Sequence, residues 1–184
     1  MRSGKSGSVP YKGLTVALSI EATEWEAAGL GDVSAMAHGV FAAAAGRIGL
    51  PEDLQSEIAV TLADDETVRA ANAEWRGKDR PTNILSFPMA NLAPGDRPGP
   101  LCGDLLLAFQ TVQREARAEG KRLADHVRHL LVHGFLHLMG FDHIDEAEAE
   151  AMETLEIAIL ADLGIADPYR ECLENPPKPV MMAD

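Results

Sequence analysis

The sequence predicts a single α+β domain with a four-stranded mixed sheet and about five helices. Three observations carry this. Short stretches alternate apolar and polar residues with the period of two of a half-buried strand, and longer stretches repeat apolar residues at helical spacing. The 184 residues also suit one hydrophobic core, with no internal repeat to suggest an array.

In order along the chain, "LTVALSI" (14–20) sets Leu14, Val16, Leu18 and Ile20 on alternate positions and reads as the first strand. Val33 to Ile48 is Ala-rich, with Met36, Val40 and Phe41 at helical spacing, and is ended by Gly49 and Pro51. "EIAVTLA" (57–63) repeats the strand pattern through Ile58, Val60 and Leu62. The acidic "DDET" suits the start of a helix over 64–75, whose apolar stripe is Val68 and Trp75, before "RGKDRPTN" turns the chain.

"NILSFPM" reads as a third strand, the Pro- and Gly-dense "NLAPGDRPGP" (91–100) as a surface loop, and "GDLLLAF" as a fourth strand. A helix around 110–119 ends at Gly120. The next, Leu123 to Met139, reads as buried on Val127, Leu130, Leu131 and Leu138, with Gly140 at its C-terminal cap. A last helix over about 146–163 aligns Met152, Leu155, Ile159 and Leu163 and stops at Gly164. The seven acidic and no basic residues from Asp142 to Glu156 read chiefly as its exposed face. The domain is expected over 14–169, with 1–13 and 170–184 as flexible ends.

Composition narrows the function. Hydrophobic residues at 46% and charged residues at 24% are ordinary for a soluble protein, and no apolar run nears the roughly 18 residues of a membrane helix. A net charge of -13 excludes a general nucleic-acid coat, because such binding comes from Lys and Arg neutralising phosphates, so a polyanion must be met locally. "MRSGKSGSVP" lacks the apolar stretch of a secretory signal, and a cytoplasmic address is expected. Cys102 and Cys172 read as ordinary reduced thiols.

The chemistry concentrates in "HGFLHLMGFDH" (133–143). His133 and His137 are four residues apart, about 6 Å of rise and nearly one turn, so their imidazoles share a helix face. Gly140 can take the left-handed conformation that reverses the chain, returning His143 to the same point as a third ligand. His126 and His129 read as bystanders, since a fourth ligand would close the site whereas three leave a position open for catalysis. Three neutral imidazoles leave the full charge on a Zn2+ ion; nickel or another divalent ion also suits an all-nitrogen site. Asp142 either orients a ligand imidazole or caps the chain.

The string H-G-x-x-H-x-x-G-x-x-H has the spacing of metzincin proteases, yet Gly134 stands where those enzymes carry their catalytic Glu. Glycine cannot take a proton from water or pass it to a leaving amine, so a zinc peptidase is the weaker reading. The chain instead resembles the YbeY family of bacterial endoribonucleases of ribosomal RNA maturation. The motifs "WRGKDRPTNILSFP" (75–88), "GDLLLA" (103–108), "HGFLHLMGFDH" and "ADPY" (166–169) stand in that family's order and approximate spacing, and together cover most of 14–169.

The resemblance implies a zincin-like α+β fold, an ion held by His133, His137 and His143, and cleavage of single-stranded RNA, with Arg76 and His133 as the catalytic residues. It further implies contact with ribosomal RNA, the small ribosomal subunit and its platform protein, and the Era GTPase, in ribosome quality control. Arg76 matches the family's functionally important arginine, and a guanidinium can clamp a phosphate through paired hydrogen bonds. Lys78, Arg80, Arg114, Arg117, Lys121 and Arg122 are candidates to complete a basic rim around it. The nucleophile is water or the RNA's own 2′-hydroxyl. The competing reading without enzymatic activity is a ribosome-assembly factor whose structural zinc only fixes the loop from Met139 to His143.

Overall fold

Strand β1 (Leu14–Ile20) pairs in parallel with β2 (Ser56–Ala63), and β2 in parallel with β4 (Leu101–Ala108). Strand β3 (Ile84–Pro88) closes the far edge antiparallel to β4, giving the order β1-β2-β4-β3. The sheet is therefore four-stranded and mixed, as its strand patterns predict. The structure is a computed structural model that describes residues 10–170. Residues 1–9 and 171–184, which hold most of the expected flexible ends and Cys172, lie outside the described residues.

Six helices accompany the sheet: α1 (Glu24–Ala27), α2 (Val33–Arg47), α3 (Asp65–Arg76), α4 (Phe109–Ala118), α5 (Leu123–Leu138) and α6 (Glu146–Asp162). Helix α3 starts where its acidic residues suggest, with the Asp64 carboxylate accepting from the Thr67 amide, and ends at Gly77 in the left-handed conformation. Asp145 caps α6 in the same way by accepting from Glu148. Among the described residues, no helix is long and apolar enough to cross a membrane.

The period of two decides which side chains enter which layer. Ile58, Val60 and Leu62 of β2 and Leu105 and Leu107 of β4 face the main core, where α2 and α5 lie across the sheet. Their neighbours Ala63, Leu85 and Ala108 face the other side, where Val68 of α3 covers them. Phe41 of α2 and Phe135 of α5 stack 5.5 Å apart at the centre of the main core.

Three details depart from the sequence reading. Helix α1, too short to show a period, was not expected; it buries Trp25, whose indole N–H donates to Ala63 O at 2.8 Å. Strand β4 begins at Leu101 and passes into α4 without a loop, so Phe109 is the first helical residue and not the end of the strand. Trp75 is not part of α3's buried stripe: it is 68% exposed, and Asn72, one turn earlier, is buried instead, donating to Arg80 O at 2.8 Å. The "RGKDRPTN" turn thus takes a polar anchor where the periodicity suggested an apolar one.

Replacing Phe135 by Ala removes the ring under Phe41 and should cost about 3–5 kcal/mol, read as a lowered urea midpoint with an unchanged denaturant slope.

Candidate metal centre

Helix α5 is laid on the sheet by the absence of a side chain. A Cβ built on Gly134 would lie 2.8 Å from Ile84 Cδ1 and 2.8 Å from Leu105 Cδ2, too close for any residue but glycine without movement. That contact seats α5 against β3 and β4, with His133 and His137 on the face that looks into the cleft. The chain reverses at Gly140, whose φ is +88°, where a Cβ would meet Leu92 O at 2.1 Å. The reversal brings His143 back, so one donor nitrogen from each of His133, His137 and His143 lies within 4.8 Å of the others. The three candidate ligands named from spacing are brought together.

Hydrogen bonds set the tautomers. His133 Nδ1 lies 2.5 Å from Glu156 Oε1, and His137 Nδ1 lies 3.0 Å from the carbonyl of Phe141. An ionised carboxylate and a carbonyl can only accept, so both Nδ1 atoms carry the proton and both Nε2 atoms present lone pairs. Those two Nε2 atoms are 3.0 Å apart. Two lone pairs facing each other at that distance repel unless a cation lies between them, and tetrahedral zinc would space its nitrogen ligands by roughly 3.3 Å. Burial, reinforced by the neighbouring His133 and His143, pushes His137 down to about 4, so it stands as the neutral ring a metal requires. The donor set fits a divalent ion.

The carboxylate behind His133 is the residue the sequence reading missed. Glu156 is only 1% exposed, although the acidic run to which it belongs was read as a solvated face. Its Oε2 accepts from His129 Nε2 at 3.0 Å and from the Tyr169 hydroxyl. Burial acts to raise its pKa, but the bonds from His129, His133 and Tyr169 outweigh it and hold the carboxyl down at about 2. Burial and the Glu156 charge together push the Tyr169 hydroxyl well up, so it remains a donor. A signal was present, because position 156 falls between Met152 and Ile159 on the apolar stripe of α6, where a solvated Glu has no place. The "ADPY" motif supplies the tyrosine.

Asp142 does not orient an imidazole; its Oδ1 accepts from the backbone amide of His143 at 2.7 Å. His126 and His129 stay out of the donor cluster, His126 pairing with Glu115 at 2.9 Å and His129 with Glu156. Cys102 is buried, which pushes its thiol up to about 12 and leaves it unreactive.

The three histidines stand at one end of a cleft of about 680 Å³ whose other wall is Arg76, Lys78, Arg80, Asn83 and Ser86. Arg76 donates one N–H to Ser86 O at 2.8 Å, which fixes the guanidinium over the cleft and leaves its other donors for a ligand. Of the seven cations considered for a basic rim, Arg76, Lys78 and Arg80 line this cleft. The other four do not: Lys121 faces a separate hollow and donates to Pro168 O, Arg122 lines a third, Arg114 donates to Thr111, and Arg117 lies on α4 outside the cleft.

Glu156→Ala should weaken metal binding about 10- to 100-fold by releasing His133, whereas Asp142→Ala should leave it within a few-fold of wild type; competition with a chromophoric chelator measures both.

Comparison with known proteins agrees with this architecture. Residues 20–164 match the family described as endoribonuclease YbeY. A protein of that name from Allorhizobium ampelinum is 48% identical over 162 residues, covering 86% of this chain and 96% of its own, and one from Agrobacterium fabrum is 47% identical over 161 residues, covering 85% and 95%. The solution structure of TM1509 from Thermotoga maritima shares the fold, with a TM-score of 0.51 at 18% identity, covering 89% of this chain and 99% of that one. The family match over most of the chain, and relatives near half identity along almost their whole length, lead to one conclusion: this chain belongs to the YbeY family.

Proposed function

We propose that this protein is a metal-dependent endoribonuclease that cuts single-stranded RNA during ribosomal RNA maturation and ribosome quality control. One observation carries the reading: three imidazoles with converging ring nitrogens share one cleft with an arginine, Arg76, and two further cations in a chain whose net charge is -13. A polyanion is met there. The family's name, endoribonuclease, supports RNA as the substrate class.

His133, His137 and His143 would hold the ion, zinc first among the divalent candidates, with nickel also suited to three nitrogen donors. When bound, such an ion supplies Lewis acidity toward a phosphoryl oxygen or a water molecule. The protein's own groups do the rest. Glu156 holds His133 in the tautomer that presents Nε2, and the Phe141 carbonyl does the same for His137. Arg76, fixed through Ser86, places paired N–H donors where negative charge builds at phosphorus, and Lys78 and Arg80 attract the flanking phosphates.

Peptide hydrolysis is disfavoured by packing as well as by chemistry. The position that carries the catalytic Glu in metzincins is Gly134 here, and its missing Cβ points toward the Ile84 and Leu105 side chains of the sheet, away from the histidine cleft that it does not line. Work on ribosomal RNA would bring the small subunit, its platform protein and Era into reach as partners, in the cytoplasm.

Arg76→Ala should lower cleavage of an unstructured RNA about 100-fold with the metal still bound, and His137→Ala should abolish both cleavage and stoichiometric metal. Purified variants that both cut at the wild-type rate would make the activity a contaminant and sink the assignment. Wild type that carries metal but cuts no RNA would favour the assembly factor with a structural zinc.

A further inference from the structure

The chain has two tryptophans, and they are used in opposite ways. Trp25 is 2% exposed and hydrogen-bonded in the core. Trp75 stands on the last turn of α3 in solvent, immediately before Arg76. A lone exposed apolar residue is commonplace. Trp75 differs because a second ring sets its position.

Phe87 of edge strand β3 lies beneath it, with ring centroids 6.3 Å apart and planes inclined by 67°. The Arg76 guanidinium carbon lies 5.9 Å from the centroid of the same Phe87 ring. One aromatic side chain therefore touches both the cation that lines the cleft and the indole next to that cation in the chain, just outside the cleft lining. A tryptophan supported in this way offers a large rigid surface at small entropic cost when a partner binds.

The surroundings select the partner. Arg76, Lys78 and Arg80 line the cleft, and among the described residues none of them is ion-paired with a carboxylate. Asp79, the acid between Lys78 and Arg80, is taken up by Arg69 through bonds of 2.8 and 3.2 Å. Met89, at the end of β3, and Ile144, next to His143, are also exposed beside the site. Free cations beside flat apolar surface match a strand that carries both phosphates and unstacked bases, whereas a duplex hides its base faces in its own stack.

We propose that Trp75, seated on Phe87, is a base-stacking platform that engages an unpaired nucleobase adjoining the phosphate held at Arg76, and thereby helps the site choose single strands over duplexes. This rests on the ribonuclease reading given above.

The test uses the full chain loaded with zinc and a 2′-O-methyl RNA strand, confirmed intact by electrophoresis after each titration. Because Trp25 is buried, a change in tryptophan emission on binding reports Trp75. The unpaired strand should quench that emission, and a duplex of the same sequence should not. Trp75→Ala should bind the unpaired strand about tenfold more weakly, Trp75→Phe should recover most of the loss, and an abasic strand with the same phosphates should bind wild type and Trp75→Ala alike. An unchanged thermal midpoint in Trp75→Ala checks that the fold is intact.

Equal affinity of wild type and Trp75→Ala for the unpaired strand, in a protein that cleaves RNA, would overturn the platform alone and leave the indole as a docking point for another protein. An equal loss on the abasic strand would also overturn it, because the effect would then not come from a base. Wild type that neither binds nor cuts RNA would overturn the parent reading and this inference with it.

Discussion

A buried carboxylate organises the functional end of this molecule. Glu156 is nearly inaccessible, and an ionised group at such a depth survives only when donors replace the water it has lost. Here the donors come from three places: His129 and His133 on α5, and Tyr169 beyond the end of α6. Meeting the carboxylate's needs therefore docks α6 and the segment after it against α5. The same bonds turn His133 so that its unprotonated nitrogen points toward His137. The demand of one charge for partners is at once a packing constraint and the reason the histidine cluster is preset.

The second constraint is steric. Two glycines matter here, Gly134 letting α5 touch the sheet with Ile84 and Leu105 undisturbed and Gly140 letting the chain fold back against the Leu92 backbone, where a side chain could not fit. The first sets the height of the helix over β3 and β4, and hence the distance from the histidines to Arg76, which is itself tied to β3 through the Ser86 carbonyl. Both walls of the cleft are thus referred to the same edge strand. His133, His137 and Arg76 gain their precision from rigid elements, while His143, Lys78 and Arg80 are carried on loops.

Charge is arranged with similar economy. A strongly acidic chain would repel a polyanion at long range, but close to the cleft Arg76, Lys78 and Arg80 act within the Debye length of about 10 Å at 0.1 M salt. Arg69 contributes indirectly, by occupying Asp79 so that the carboxylate does not quench its basic neighbours.

Local pattern was enough to read all four strands and five of the six helices, because a period of two or of 3.6 survives in one dimension and the turn-rich segments bracket the two strands that do not alternate cleanly. The pairing of His133 with His137 was legible for the same reason, since four residues is one helical turn wherever the helix lies. The return of His143 was legible from Gly140, because reversal of the chain is a property of that residue's backbone. Partners far apart in sequence were not: Glu156 belongs to an acidic run and Tyr169 to a closing motif, and no spacing rule joins either to His133, 23 residues before Glu156. Trp75 was misjudged because a stripe on a helix says which face is apolar, not whether anything covers its end. The sequence by itself determined the elements, the histidine trio and the likeness to a family; the tertiary structure decided which carboxylate orients His133, which three of seven cations meet the cleft, and which aromatic stays in solvent. Those outcomes depend on distances through space, and a linear pattern encodes distance only along the chain.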